Sequence, residues 1–210
     1  MKAVIVGSTG LVGKSLLEQL NSDAAFTQVI ALVRKKTNHG FEKVKEIEVD
    51  FENLPSSAFL DAAIVFCCLG TTIKKAGSQE AFRKVDFEYP FNTAKIAKSQ
   101  GVESFAIVTA MGSDASSSIF YNRVKGEIEK ALTDLKFERL GVFRPSMLLG
   151  ERTETRIGER IGQVVMNLFG FLIPKNYKAI DAQKVASAMV KFAKQQHQKG
   201  RKIVLSGEMY

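Results

Sequence analysis

The sequence predicts an α/β protein on a mostly parallel, doubly wound sheet of about seven strands, with helices on both faces. Three observations carry this. Strand-length apolar runs alternate with helical periodicity almost to the end of the chain. Repeated strand–helix units need crossover connections, and these pair strands in parallel. Finally, the first apolar run, Ala3 to Val6, breaks directly into Gly7-Ser8-Thr9-Gly10-Leu11-Val12-Gly13, behind which a helix opens with Leu16, Leu17 and Leu20 on one face.

The remaining strands are expected at residues 28–33, 44–49, 62–69, 105–109, 137–143 and 201–206. The run at 62–69 is nearly all apolar, as a strand covered on both faces should be. A long helical stretch over 78–100 contains Pro90, which lacks an N–H and predicts a kink or restart there. Further helices are expected at 121–135, at 156–171, and from an Asp181 N-cap to about residue 196. No repeat or linker divides the 210 residues, which suit a single domain over 1–210 with a small substrate-pocket portion at about 145–180. A helix at 156–171 would roof that pocket, meet a partner subunit, or lie in an ordinary core.

Composition narrows the function classes. No apolar run approaches a membrane span, and the N-terminus has no leader pattern, so the cytoplasm is expected. Cys67 and Cys68 are adjacent on a strand and point to opposite faces, which suits free thiols in a reducing compartment. With His39 and His197 the only histidines, no metal-ligand cluster is expected. The net charge of +8 is dispersed, without a basic groove or stacking platform. A solvated surface and an anionic ligand therefore fit better than nucleic acid.

Candidate chemistry starts at the glycine turn. Gly7 permits the tight turn, Gly10 lets a pyrophosphate reach the backbone, and Gly13 lets the helix approach the strand. The phosphates then meet free N–H groups, from Ser8 to Gly13, at the positive end of the helix. At the end of the second strand a dinucleotide site for NAD would carry an acid; Arg34 and Lys35 stand there instead. A guanidinium suits a 2′-phosphate, so NADP(H) is the expected cofactor. Asp50 and Phe51 are placed to flank the adenine, and Leu69, Gly70 and Thr71 to line the central phosphates and ribose.

Tyr121 and Lys125, four apart, share one helical face. A phenol titrates near about 10, and a neighbouring ammonium favours its ionised form, which fits it to move a proton while a nicotinamide moves a hydride. Lys125 is also placed to hold the cofactor ribose. Thr109, or alternatively Ser113, would polarise a substrate carbonyl.

Together these residues resemble the short-chain dehydrogenase/reductase superfamily, over nearly the whole chain. The stretch Val85-Asp86-Phe87-Glu88-Tyr89, the run from Phe120 through Lys125-Gly126-Glu127, and Arg144-Pro145-Ser146 look most like an atypical branch. That branch is the Tat-interacting-protein-like NAD(P)-binding group, near the NmrA-like proteins and sugar-nucleotide epimerases. The resemblance implies a Rossmann fold, NADP(H), oxidoreductase activity, and Pro145 at the nicotinamide end. The chain departs from the pattern at Ala110, where many relatives have serine, and at Asp86, where many extended members have an asparagine that helps set a proton relay.

An NADP(H)-dependent oxidoreductase acting on a small carbonyl or alcohol is thus the first reading. It needs neither nucleic acid nor membrane, and would work as monomer or homodimer. A non-catalytic NADP(H) sensor acting through a protein partner is the second. Epimerase-type hydride chemistry on a sugar nucleotide is the third.

Overall fold

A computed structural model describes residues 1–149, 175–195 and 197–210. Its strands are β1 (Lys2–Val6), β2 (Gln28–Val33), β3 (Val44–Glu48), β4 (Ile64–Cys67), β5 (Ser104–Val108), β6 (Arg139–Arg144), β7 (Leu148–Leu149), β8 (Ile180–Asp181) and β9 (Gly200–Leu205). Its helices are α1 (Leu11–Ser22), α2 (Ile73–Ala76), α3 (Gln79–Arg83), α4 (Tyr89–Ser99), α5 (Phe120–Asp134) and α6 (Ala182–Lys194). Seven strands form one sheet in the order β3-β2-β1-β4-β5-β6-β9, every pairing parallel. β7 and β8 form a separate short ladder that periodicity did not foresee, because two-residue strands carry no pattern. The helix expected at 156–171, and most of the pocket portion expected at 145–180, lie outside the described residues.

The strands alternate their side chains between two cores. Ala3, Ile5, Ile64, Phe66, Ala106 and Phe143 face the layer of α1 and α6, with Leu16, Leu17, Leu20, Val185 and Met189. Val4, Val6, Val65, Cys67, Phe105 and Val142 face the other layer, which includes Ala94, Ala97, Ile128 and Leu132 of α4 and α5. Both faces are covered, which explains why β4 and β5 read as unbroken apolar runs.

The order of the strands reverses between β1 and β4. The glycine turn leaves the carboxyl end of β1 and the Gly70 turn leaves that of β4, so both open onto the crevice where such sheets bind ligands.

Pro90 does not break its helix. It lies in the first turn of α4, directly after a widened π turn over Lys84–Glu88 that continues from α3. A π turn shifts the hydrogen-bond register, which accommodates a residue with no N–H. The expected kink or restart is met by a restart: α4 opens at Tyr89 behind a local widening that carries Asp86.

Candidate functional site

The glycine turn separates into packing glycines and a ligand glycine. Gly7 has φ of +82°, and a Cβ there would sit 2.5 Å from the carbonyl carbon of Cys68. A Cβ on Gly13 would lie 2.0 Å from the Gly7 oxygen. Both positions need glycine for the fold itself. Gly10 does not: its Cβ would meet nothing nearer than the Gly7 oxygen at 3.4 Å. Gly10 is the N-cap of α1, and no side chain caps that end. The first turn's N–H groups therefore face outward, as an anion site requires. Ser8 is buried, and among the described residues its hydroxyl has no partner. An open glycine, uncapped N–H groups and an orphaned hydroxyl at the end of the first strand together fit a pyrophosphate.

Beyond β2, Arg34 and Lys35 are exposed and form no ion pair among the described residues. The chain behind them is pinned by Glu46 of β3, which accepts the N–H groups of Thr37 and Asn38, both at 2.9 Å. Burial raises the Glu46 pKa, but these bonds and the Thr37 hydroxyl outweigh it and hold the carboxyl below its ordinary range. The Asp50–Phe51 pair follows β3. Asp50 folds onto its own turn, accepting from Glu52 N and Asn53 Nδ2, while Phe51 is 6% exposed with its ring against Tyr89.

Tyr121 and Lys125 lie one turn apart on α5. The Tyr121 ring packs on the buried Phe82 of α3, centroids 5.6 Å apart, and its hydroxyl has no partner among the described residues. Lys125 is buried and ion-paired to Asp86, Nζ to Oδ1 2.7 Å. Burial disfavours its ammonium, but the Asp86 carboxylate and the Tyr121 phenol outweigh that and raise its pKa. A Cβ on Gly70 would lie 3.7 Å from Lys125 Nζ, so Gly70, exposed at the crevice, sits directly over the ion pair. Leu69 and Thr71, on either side of it, are half-buried. Burial pushes the neighbouring Cys67 thiol up to about 12, which makes it chemically inert at working pH.

The two expected carbonyl donors are engaged elsewhere. Thr109 follows β5 and is 5% exposed; its hydroxyl donates to Glu129 Oε1 at 2.8 Å. Ser113 donates to the Ala110 carbonyl at 2.7 Å and closes its own turn. Pro145 accepts the Met111 N–H at 2.9 Å, which ties that turn to the end of β6.

Glu129 was missed from sequence. It is 1% exposed and holds Arg144 through both oxygens, Nε at 2.9 Å and Nη2 at 2.6 Å, as well as Arg201 at 3.0 Å. Its signal was its spacing: Tyr121, Lys125 and Glu129 recur every four residues on one face of α5. Gly126 was also under-read, since a Cβ there would lie 2.1 Å from the Ala115 nitrogen.

Residues 7–148 match the model of the NAD(P)H-binding family. The chain belongs to that family. Protein HTATIP2 of Rattus norvegicus is 41% identical over 160 residues, 74% of this chain and 66% of that protein. Protein FMP52, mitochondrial, of Candida albicans is 32% identical over 201 residues, covering 92% of this chain and 88% of that one. Among solved structures, MoeE5 in complex with UDP-glucose and NAD matches with a TM-score of 0.75 at 13% identity, over 98% of this chain and 76% of that one. A short chain dehydrogenase family protein from Francisella tularensis matches with a TM-score of 0.68 at 13% identity, over 99% and 98%. The chain is thus an NAD(P)-binding Rossmann protein, like the atypical short-chain dehydrogenases in its fold. The relatives correct one expectation. The cytoplasmic placement read from composition is overturned by several FMP52 relatives that are mitochondrial by name. Composition cannot see an address carried by a receptor-read segment. Among the described residues no helix is long and apolar enough to cross a membrane.

Proposed function

We propose that this chain is an NADP(H)-dependent oxidoreductase of the atypical short-chain type, acting on a small carbonyl or alcohol. The observation that carries the reading is the free Tyr121 hydroxyl one turn from a buried, charged Lys125, beneath the Gly70 turn and beside a pyrophosphate-type glycine turn. When bound, the nicotinamide supplies or accepts the hydride. The chain's own residues do the rest. Residues Ser8 to Gly13 hold the phosphates on the α1 N–H groups. Arg34, with Lys35, clamps the 2′-phosphate. Lys125 holds the ribose and is the charged partner of Tyr121, which gives a proton to the substrate oxygen or takes one from it. Leu69, Gly70 and Thr71 line the central phosphates and ribose and Pro145 the nicotinamide end, with Asp50 and Phe51 at the adenine end. Thr109 or Ser113 would polarise the carbonyl after rotating its hydroxyl away from Glu129 or Ala110.

That last requirement favours a second reading, a non-catalytic NADP(H) sensor working through a protein partner, because both hydroxyls already have acceptors. One assay separates the two. NADPH oxidation is followed with aldehydes, ketones and quinones, using wild type and Tyr121→Phe. Turnover abolished in the variant while NADPH affinity is kept supports the enzyme. Tight NADPH binding with no turnover on any substrate sinks it in favour of the sensor.

A further inference from the structure

Asp86 is a charged residue at a fully buried position. It is 1% exposed on the widened turn before Pro90, and its two oxygens serve two different elements. Oδ1 meets Lys125 Nζ of α5 at 2.7 Å. Oδ2 accepts the Thr71 N–H at 2.9 Å, from the turn that follows β4. A Cβ on Gly70 would lie 3.6 Å from Asp86 Oδ1, so the carboxylate and the ammonium together floor the surface that Gly70 opens. The two side chains are 0% and 6% exposed, which leaves water little access to either charge. A buried charge left without its partner is strongly unfavourable, so each group depends on the other. π turns are uncommon in helices and concentrate at functional sites. Here the π turn delivers one carboxylate to a lysine and a backbone turn at once.

We propose that Asp86 is a positioning residue: it fixes the Lys125 ammonium and the Gly70–Thr71 turn as one unit, so that the ribose end of the crevice is assembled before nucleotide arrives. The proposal rests on the reading of Lys125 as a ribose ligand. It also gives the departure from asparagine at this position a physical content. An amide oxygen can still accept the Thr71 N–H, but it brings no charge to the buried ammonium.

Among the described residues, three titratable groups face Lys125: Asp86 from the π turn, Tyr121 from its own helix and Cys67 from the end of β4. Burial keeps the Cys67 thiol protonated at ordinary working pH. Among the described residues, the Asp86 carboxylate is the main counter-charge that opposes the cost of burial. Without it, the ammonium gives up its proton more easily.

The test is NADPH affinity, read by cofactor fluorescence between about pH 6 and 10, in wild type and Asp86→Asn. Affinity in the wild type should be flat up to the alkaline end. In the variant it should match at low pH and fall about tenfold as pH rises, the loss of one charged contact to the ribose. A variant profile parallel to wild type overturns the proposal, since a merely structural role shifts affinity equally at every pH. NADPH failing to bind the wild-type chain overturns the cofactor reading itself, and this proposal with it. Lys125→Met probes the contact from its other side. The buried Asp86 carboxylate, left without a cation, should take up a proton, so the variant's melting temperature should rise from pH 8 to pH 5 relative to wild type. Parallel melting curves in that variant also overturn the proposal.

Discussion

The division of the glycine turn into packing and ligand positions makes a sharp prediction, because two similar substitutions should fail in different ways. In Gly10→Ala the new methyl meets only the Gly7 oxygen at 3.4 Å and the Cys68 oxygen at 3.9 Å, both ordinary contact distances. The backbone there is extended, with φ −76° and ψ 171°, which any residue adopts. Folding should lose about 1 kcal/mol or less, the difference between glycine and alanine as an N-cap. On the proposed binding mode the methyl would stand where the phosphates need the α1 N–H groups. Losing about two hydrogen bonds to a charged oxygen, at about 1.5 kcal/mol each, weakens the nucleotide about 100-fold. In Gly13→Ala the methyl would lie 2.0 Å from the Gly7 oxygen and 2.8 Å from the Ser8 Cα, both backbone atoms. The helix must move off the strand, at a cost of about 3 kcal/mol. Urea unfolding and NADPH titration of both variants give the answer. If Gly10→Ala binds NADPH as wild type does, the phosphates do not lie on this turn and the argument fails at its first step.

Three further outcomes follow from the same geometry. Arg34→Asp should reverse the preference for NADPH over NADH, measured as a ratio of dissociation constants; an unchanged ratio assigns the 2′-phosphate elsewhere. Glu129→Gln should lower stability by about 2 to 3 kcal/mol by chemical denaturation, because two arginines lose their carboxylate while an amide oxygen remains for Thr109. Glu46 has a folded pKa below the ordinary glutamate value of 4.5, so its stabilisation is present above that value and is lost as pH falls through the folded one. Amide exchange at Thr37 and Asn38 should therefore lose protection on acidification from pH 5 to pH 3, and Glu46→Gln should remove that pH dependence.

The sheet was legible because its information is local and periodic. Residues 28–33 were placed to the residue, and the other strands of the large sheet within about two, the usual boundary error. The glycine turn was legible for the same reason, since strand, glycines and helix adjoin in sequence. What was not legible depends on side chains meeting across the fold. Thr109 ends a strand as expected, but the partner that takes its hydroxyl lies twenty residues away on α5. Asp86 was singled out only by comparison with a family pattern, and its direct contact with Lys125 spans a π turn that no periodicity announces. The contact of Phe51, expected beside the adenine, with the Tyr89 ring was not legible either, because Tyr89 comes from a distant helix.

The helix that carries the glycine turn has its apolar side covered from the far end of the chain. Leu16, Leu17 and Leu20 share a core with Val185, Ala186 and Met189, and Gln19 bonds both Gln183 and Ser187. The family match stops at residue 148, before this partner helix begins. Contacts of such sequence separation close late in folding, because a long loop must be ordered first. During synthesis the nucleotide turn emerges well before α6, so its helix stays half-uncovered until that partner helix is out. A nascent chain stalled before residue 182 should expose an apolar stripe on α1, and that is when this protein most needs a chaperone.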